Sequence, residues 1–185
     1  PLPEGAGAKH SPGALSLLDV VNLACARGDR LLFRDLSFSL RPGQLLHLQG
    51  ANGSGKTTLL RTLCGLTLPA SGEIRWDGRA IGDDREAFLS RLCYIGHTNA
   101  LHGDLTGVEN LAFEGCLADA DADPRAALTD IGLGRVASLP SKLLSQGQKR
   151  RTALARLLIS EKPLWVLDEP LTALDVRSSA ALLAR

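Results

Sequence analysis

The segment Gly50-Ala51-Asn52-Gly53-Ser54-Gly55-Lys56-Thr57 constrains this chain more than any other stretch of it. It satisfies the pattern G-x-x-x-x-G-K-[ST] and lies between Leu45 to Gln49, an apolar-rich run that suits a strand, and Lys56 to Cys64, which suits a helix. Strand, glycine loop and helix in that order is the context phosphate binding needs. Glycines let the backbone turn its N–H groups inward around phosphate oxygens, and the helix adds its positive end. Lys56 supplies a point charge, and the hydroxyl of Thr57 can hold Mg²⁺. The alternative, a glycine-rich turn capping a helix with Lys56 in solvent, is disfavoured by the flanking strand and helix.

Length and composition set the frame. With 185 residues, 44% of them hydrophobic, the chain fills one core and does not suggest two. A net charge of +1 makes no demand for nucleic acid or an anionic membrane surface. No apolar run exceeds five residues, Ala180 to Ala184, against the roughly 20 of a membrane helix, so no bilayer span is expected. Cys25, Cys64, Cys93 and Cys116 form no CxxC or CxxH pair and read as reduced, mostly core residues of a cytoplasmic protein. Residues 1 to 14 resemble neither a signal peptide nor an initiator context and are expected to form a disordered arm.

Alternation from Leu15 to Leu40 predicts half-buried strands ended by Arg41-Pro42-Gly43. The Asp77-Gly78 pair within Gly72 to Ile81 predicts a hairpin. Asp123-Pro124 supplies a cap and a first-turn proline for a helix over Arg125 to Ile131, and Val108 to Leu117 and Gly147 to Ile159 carry helical spacing. Leu164 to Leu167 suits a strand buried on both faces, with Asp168-Glu169-Pro170 at its carboxyl end. Asp168 could reach the water shell of a Mg²⁺ held at the loop, and Glu169 could polarise an attacking water, which points to hydrolysis rather than storage of nucleotide. Without the upstream loop, the same three residues would as readily be a polar strand end entering a proline turn.

Leu144-Ser145-Gln146-Gly147-Gln148 has the spacing of a capping box opening a helix. Lys149, Arg150 and Arg151 then read as a solvated helix face. LSQGQ downstream of the phosphate loop, LDEP beyond it and LTALD at Leu171 to Asp175 together resemble the ATP-binding domain of ABC transporters, over roughly Leu15 to the last residue. The resemblance implies an α/β fold: a P-loop NTPase (RecA-like) core over 15–96 and 160–185 with an antiparallel β subdomain, and an inserted helical subdomain over about 97–159. It implies ATP and Mg²⁺ as ligands, with Gly50 to Thr58 holding nucleotide and Thr57 and Asp168 on the metal, Asp168 through water. Glu169 becomes the catalytic carboxylate and Asp175 the D-loop acid. Two copies would pair head to tail, with Leu144 to Gln148 of each, Ser145 and Gly147 above all, facing ATP held by the other.

Two positions depart from the common pattern. His97 stands where most members carry the Q-loop glutamine, and Arg27 where many place an aromatic against adenine. The GH pair ahead of LTGVENL and the segment Leu31 to Gly43 resemble the family's haem-export ATP-binding subunits of cytochrome c maturation. His97 is then either a catalytic contact to metal-bound or attacking water, or a polar loop residue. Arg27 either stacks on adenine or is solvated. The family's switch histidine lies further beyond LDEP than this sequence extends, so it and the last core strands are expected to be missing, and the lack of any Met fits a fragment.

The implied function is ATP hydrolysis at the cytoplasmic face of the inner membrane, peripheral to membrane-embedded permease subunits, with haem contacted only indirectly and no nucleic acid bound. The helical segment from His97 to about Arg135 would dock on those subunits. The rivals are another ABC exporter's ATPase and a soluble, non-transport ABC regulator. A nucleotide-binding module that no longer turns over is opposed by Glu169.

Overall fold

A computed structural model describes residues 17–117, 122–160 and 162–170. The N-terminal arm and the LTALD segment with Asp175 lie outside the described residues. The chain divides into two compact units, Pro1–Leu89 and Ser90–Arg185.

In the first unit, β1 (Leu18–Arg27), β2 (Arg30–Leu40), β3 (Ser71–Trp76) and β4 (Arg79–Ala80) form an antiparallel sheet in the order β2-β1-β3-β4. This is the ribbon expected from alternation: Leu18, Val20, Leu23 and Cys25 of the central strand are buried. The β3–β4 hairpin turns through Asp77 and Gly78, both at positive φ, the combination that matches strand twist in a two-residue turn. Helix α1 (Lys56–Leu63) buries Leu59, Thr62 and Leu63, and the Thr62 hydroxyl accepts from the Cys25 thiol at 3.4 Å. Burial pushes the Cys64 thiol up to about 12, so it stays protonated and inert at neutral pH. A short helix, α2 (Arg85–Ser90), sets Phe88 against Trp76, ring centroids 5.8 Å apart.

One glycine there is obligatory. Gly72 sits at φ +86°, and a Cβ on it would stand 2.3 Å from the Asn22 carbonyl oxygen and 2.6 Å from Leu23 Cα. Both atoms belong to the backbone of β1, at the bulge where Asn22 itself takes a positive φ. A left-handed alanine costs about 1 kcal/mol and the clash adds a further 1–3 kcal/mol. Gly72→Ala is therefore expected to destabilise the protein by about 3 kcal/mol in urea titration. A midpoint equal to wild type would contradict the bulge geometry.

The second unit pairs β5 (Leu92–Ile95) with β6 (Leu164–Leu167) in parallel, register Leu92 to Leu164 through Ile95 to Leu167. Among the described residues its α-helices are α3 (Gly107–Leu117), α4 (Pro124–Asp130), α5 (Gln146–Leu154) and α6 (Arg156–Ile159). Leu111, Ala127, Leu128, Leu133, Ala137, Ala155 and Ile159 make one core, while Ala153, Leu154 and Leu157 cover Cys93 and Ile95. Asp123 caps α4 by accepting from Arg125 N, with Pro124 in the first turn, as the sequence predicts. The loop entering α3 is tied by a buried amide. Asn110 accepts from His102 N at 2.8 Å, and its two amide N–H groups are shared among the carbonyls of His102, Leu105 and Thr106 and Ser141 Oγ, all within 3.2 Å of the nitrogen.

Three expectations are corrected. Leu45 to Gln49 forms no strand among the described residues: Leu45 is 80% exposed, and a strand needs a neighbour's backbone, which apolar content cannot reveal. β6 is buried on one face, since Trp165 is 42% exposed between buried Leu164 and Val166. The helix expected over Gly147 to Ile159 is broken at Ala155, whose N–H donates back to Arg151 O at 2.9 Å and closes α5, while α6 starts afresh at Arg156.

Candidate functional site

The phosphate loop turns through Gly53 (φ +78°) and Gly55 (φ +100°), with Ser54 N donating to Ala51 O at 3.2 Å. Gly55 is the N-cap of α1 and contributes no side-chain cap, so the helix's first N–H groups stay unclaimed by side chains. No acid occupies the first turn; Lys56 does, against the rule that cations avoid a helix N-terminus. Its ammonium donates to Gly50 O at 2.6 Å and Ala51 O at 3.0 Å, closing the loop on itself. The Ser54 hydroxyl is buried without a hydrogen-bond partner. A cation, free N–H groups and an unsatisfied hydroxyl around one turn fit a polyanionic ligand such as a nucleotide phosphate.

At the end of β6, Asp168 N donates to Ile95 O at 2.9 Å, which draws the Asp168 carboxylate inside, 3% exposed. Its Oδ2 has no hydrogen-bond partner, a costly state for a buried carboxylate and a fitting one for an acid that meets a hydrated cation. Glu169 follows at φ +49°, a conformation non-glycine residues seldom adopt, with its side chain half exposed. Glu169 Oε2 and His97 Nδ1 stand 3.6 Å apart, longer than a hydrogen bond. The structure thus brings together, at one end of the β5–β6 pair, the two residues singled out as catalytic from sequence.

Arg150 is where sequence reasoning fails. Expected on a solvated face, it is 4% exposed. One terminal nitrogen donates to Gly96 O at 2.7 Å, and the other to Asp168 O at 2.6 Å and Glu169 O at 2.8 Å. Burial pushes its pKa down, opposed by the Asp168 and Glu169 carboxylates. The missed signal is positional: Arg150 shares the i, i+3, i+4, i+7 stripe with Ala153, Leu154 and Leu157, all buried.

The capping box at LSQGQ is complete. Ser145 Oγ accepts from Gln148 N at 3.2 Å, and Gln148 Oε1 accepts from Ser145 N at 2.8 Å, leaving Gln146 and Gly147 in the first turn of α5. Leu144, the residue before the box, is buried. Arg27 lies exposed at the end of β1, opposite Arg30.

An ATP-binding, ATP-hydrolysing P-loop domain is the class that this fold and these sites define, and comparison with known proteins agrees. The family described as ABC transporter matches residues 33–172, and the chain belongs to that family as one of its ATPases. It is 50% identical over 169 residues to the "Cytochrome c biogenesis ATP-binding export protein CcmA" of Nitrosococcus oceani, covering 90% of this chain and 78% of that protein. The protein of the same name from Aromatoleum aromaticum is 52% identical over 170 residues, covering 90% of this chain and 79% of its own length. A solved structure described as the ATP binding subunit of an ABC transporter superposes with a TM-score of 0.81 at 28% identity, over 91% of this chain and 72% of that one. Among the described residues, no helix is long and apolar enough to cross a membrane.

Proposed function

We propose that this chain powers the export step of cytochrome c biogenesis, hydrolysing ATP to drive membrane-embedded permease subunits in haem handling from the cytoplasmic face of the inner membrane. The observation that carries this reading is identity of 50–52% over 90% of the chain to proteins named for that task. In this reading Lys56 and the N–H groups of Gly50 to Thr58 bind the phosphates, and Arg27 stacks on adenine. Thr57 and Asp168 would hold Mg²⁺, the orphaned Asp168 Oδ2 being the supporting observation, and the metal would neutralise phosphate charge. Glu169 orients the attacking water and accepts its proton, while His97, 3.6 Å away, contacts the same water. The N-terminus of α5, with Ser145 and Gly147 foremost, faces the γ-phosphate of ATP bound by a second copy, and Asp175 lies at the dimer seam.

Mg²⁺-ATP hydrolysis by the full chain, with and without candidate haem-maturation membrane subunits, tests this. Stimulation of at least about fivefold by those subunits, and not by permeases of unrelated exporters, is expected from a closure-coupled ATPase. Turnover indifferent to them would leave the ATPase standing and remove the haem role.

A further inference from the structure

Around the His97–Glu169 pair, one side chain meets the backbone on both sides. Arg150 spans with a single guanidinium plane the carbonyl just before His97 and the carbonyls of Asp168 and Glu169. We propose that Arg150 is a positioning residue for hydrolysis, holding Glu169 and the His97 loop in register from helix α5 of the same chain. This rests on the reading of Glu169 as the carboxylate that orients water.

Four observations carry it. A charge at 4% exposure is expensive, and an apolar residue on a stripe with Ala153, Leu154 and Leu157 would pack there without that cost. The sequence breaks the local rule at a place where the cation's bonds go to backbone carbonyls beside the reacting groups, the mark of a functional constraint. Glu169 takes a positive φ, and such backbone persists only where surroundings over-determine it; Arg150 bonds the carbonyls on both sides of that residue's Cα. The fork also matters. Terminal nitrogens pointing two ways reach Gly96 and the Asp168–Glu169 pair together, which one ammonium cannot do. Since Ser145 opens α5 and Arg150 lies in its second turn, a shift of this helix on meeting a nucleotide is carried to Glu169 through the guanidinium.

The test compares ATP turnover and nucleotide affinity in the full chain for wild type, Arg150→Lys, Arg150→Met, Glu169→Gln and the Arg150→Lys/Glu169→Gln double variant. Both single Arg150 variants are expected to lose about tenfold or more in kcat, with KM and ATP affinity moved by less than about threefold, lysine failing to restore the fork. The double variant should turn over little more slowly than Glu169→Gln alone, because both groups that Arg150 holds serve the water that Glu169 deprotonates, and without that base little is left to position. Should Arg150→Met not fold, the lysine variant carries the comparison. A kcat for Arg150→Lys within twofold of wild type, or a loss that multiplies with that of Glu169→Gln, overturns the proposal. If instead Glu169→Gln keeps full turnover, it is the reading of Glu169 that fails, and the positioning role falls with it.

Discussion

Replacing Glu169 by glutamine is expected to lower ATP turnover by about a hundredfold or more while leaving ATP affinity within about threefold of wild type. Glutamine keeps the shape, the backbone carbonyl that Arg150 grips and the turn at the end of β6, so the change is confined to the carboxylate charge that faces Arg150 and His97. What is lost is a base able to draw a proton from water. A positioned base contributes about 10²- to 10⁴-fold, or roughly 3–5 kcal/mol of barrier, far above the threefold allowed for binding. Because ATP would still bind but not be consumed, the variant should also accumulate as a nucleotide-closed dimer, visible as a doubled mass on size exclusion in Mg²⁺-ATP. Full turnover would sink the catalytic role, and turnover lost together with ATP binding would make Glu169 a structural residue of the strand end.

The parts of this site that could be read from sequence are those whose chemistry is local. The glycines of the phosphate loop, the Ser145–Gln148 box, the Asp123–Pro124 cap and the Asp77-Gly78 turn each depend on residues within a few positions of one another, and each appears where expected. Long-range pairing was not legible. Leu45 to Gln49 has the composition of a strand, but its ladder would depend on a partner that the segment does not encode. Trp165 lies exposed within an apolar run for the same reason: only the neighbours decide which faces are covered. Arg150 is the instructive error. Composition placed it with Lys149 and Arg151, whereas helical periodicity placed it with Ala153 and Leu154; burial followed periodicity, because a guanidinium can enter a core when carbonyls meet it.

Lys56→Ala is expected to weaken ATP binding by about 30- to 100-fold while changing nucleotide-free stability by about 1 kcal/mol or less. The two effects separate because the ammonium's bonds to Gly50 and Ala51 carbonyls tie only an accessible loop, where water replaces a lost donor readily. The loss in binding is larger because a full positive charge at the N-terminus of α1, with no acid in that turn to balance it, is a standing cost to the helix that only an anion relieves. One charge-assisted bond to phosphate is worth about 2–2.8 kcal/mol, which converts to the stated range. Lys56→Arg should not rescue it. The loop holds a compact ammonium 2.6 Å and 3.0 Å from two carbonyls, and a planar fork cannot fill that place without opening the turn. Equilibrium titration with a fluorescent ATP analogue, alongside urea unfolding without nucleotide, reads both quantities. Binding within threefold of wild type for Lys56→Ala would mean that the loop amides alone hold the phosphates, and the same result for Lys56→Arg that a guanidinium can fill the ammonium's place, whereas a large drop in nucleotide-free stability would make Lys56 a structural clasp first and a ligand second.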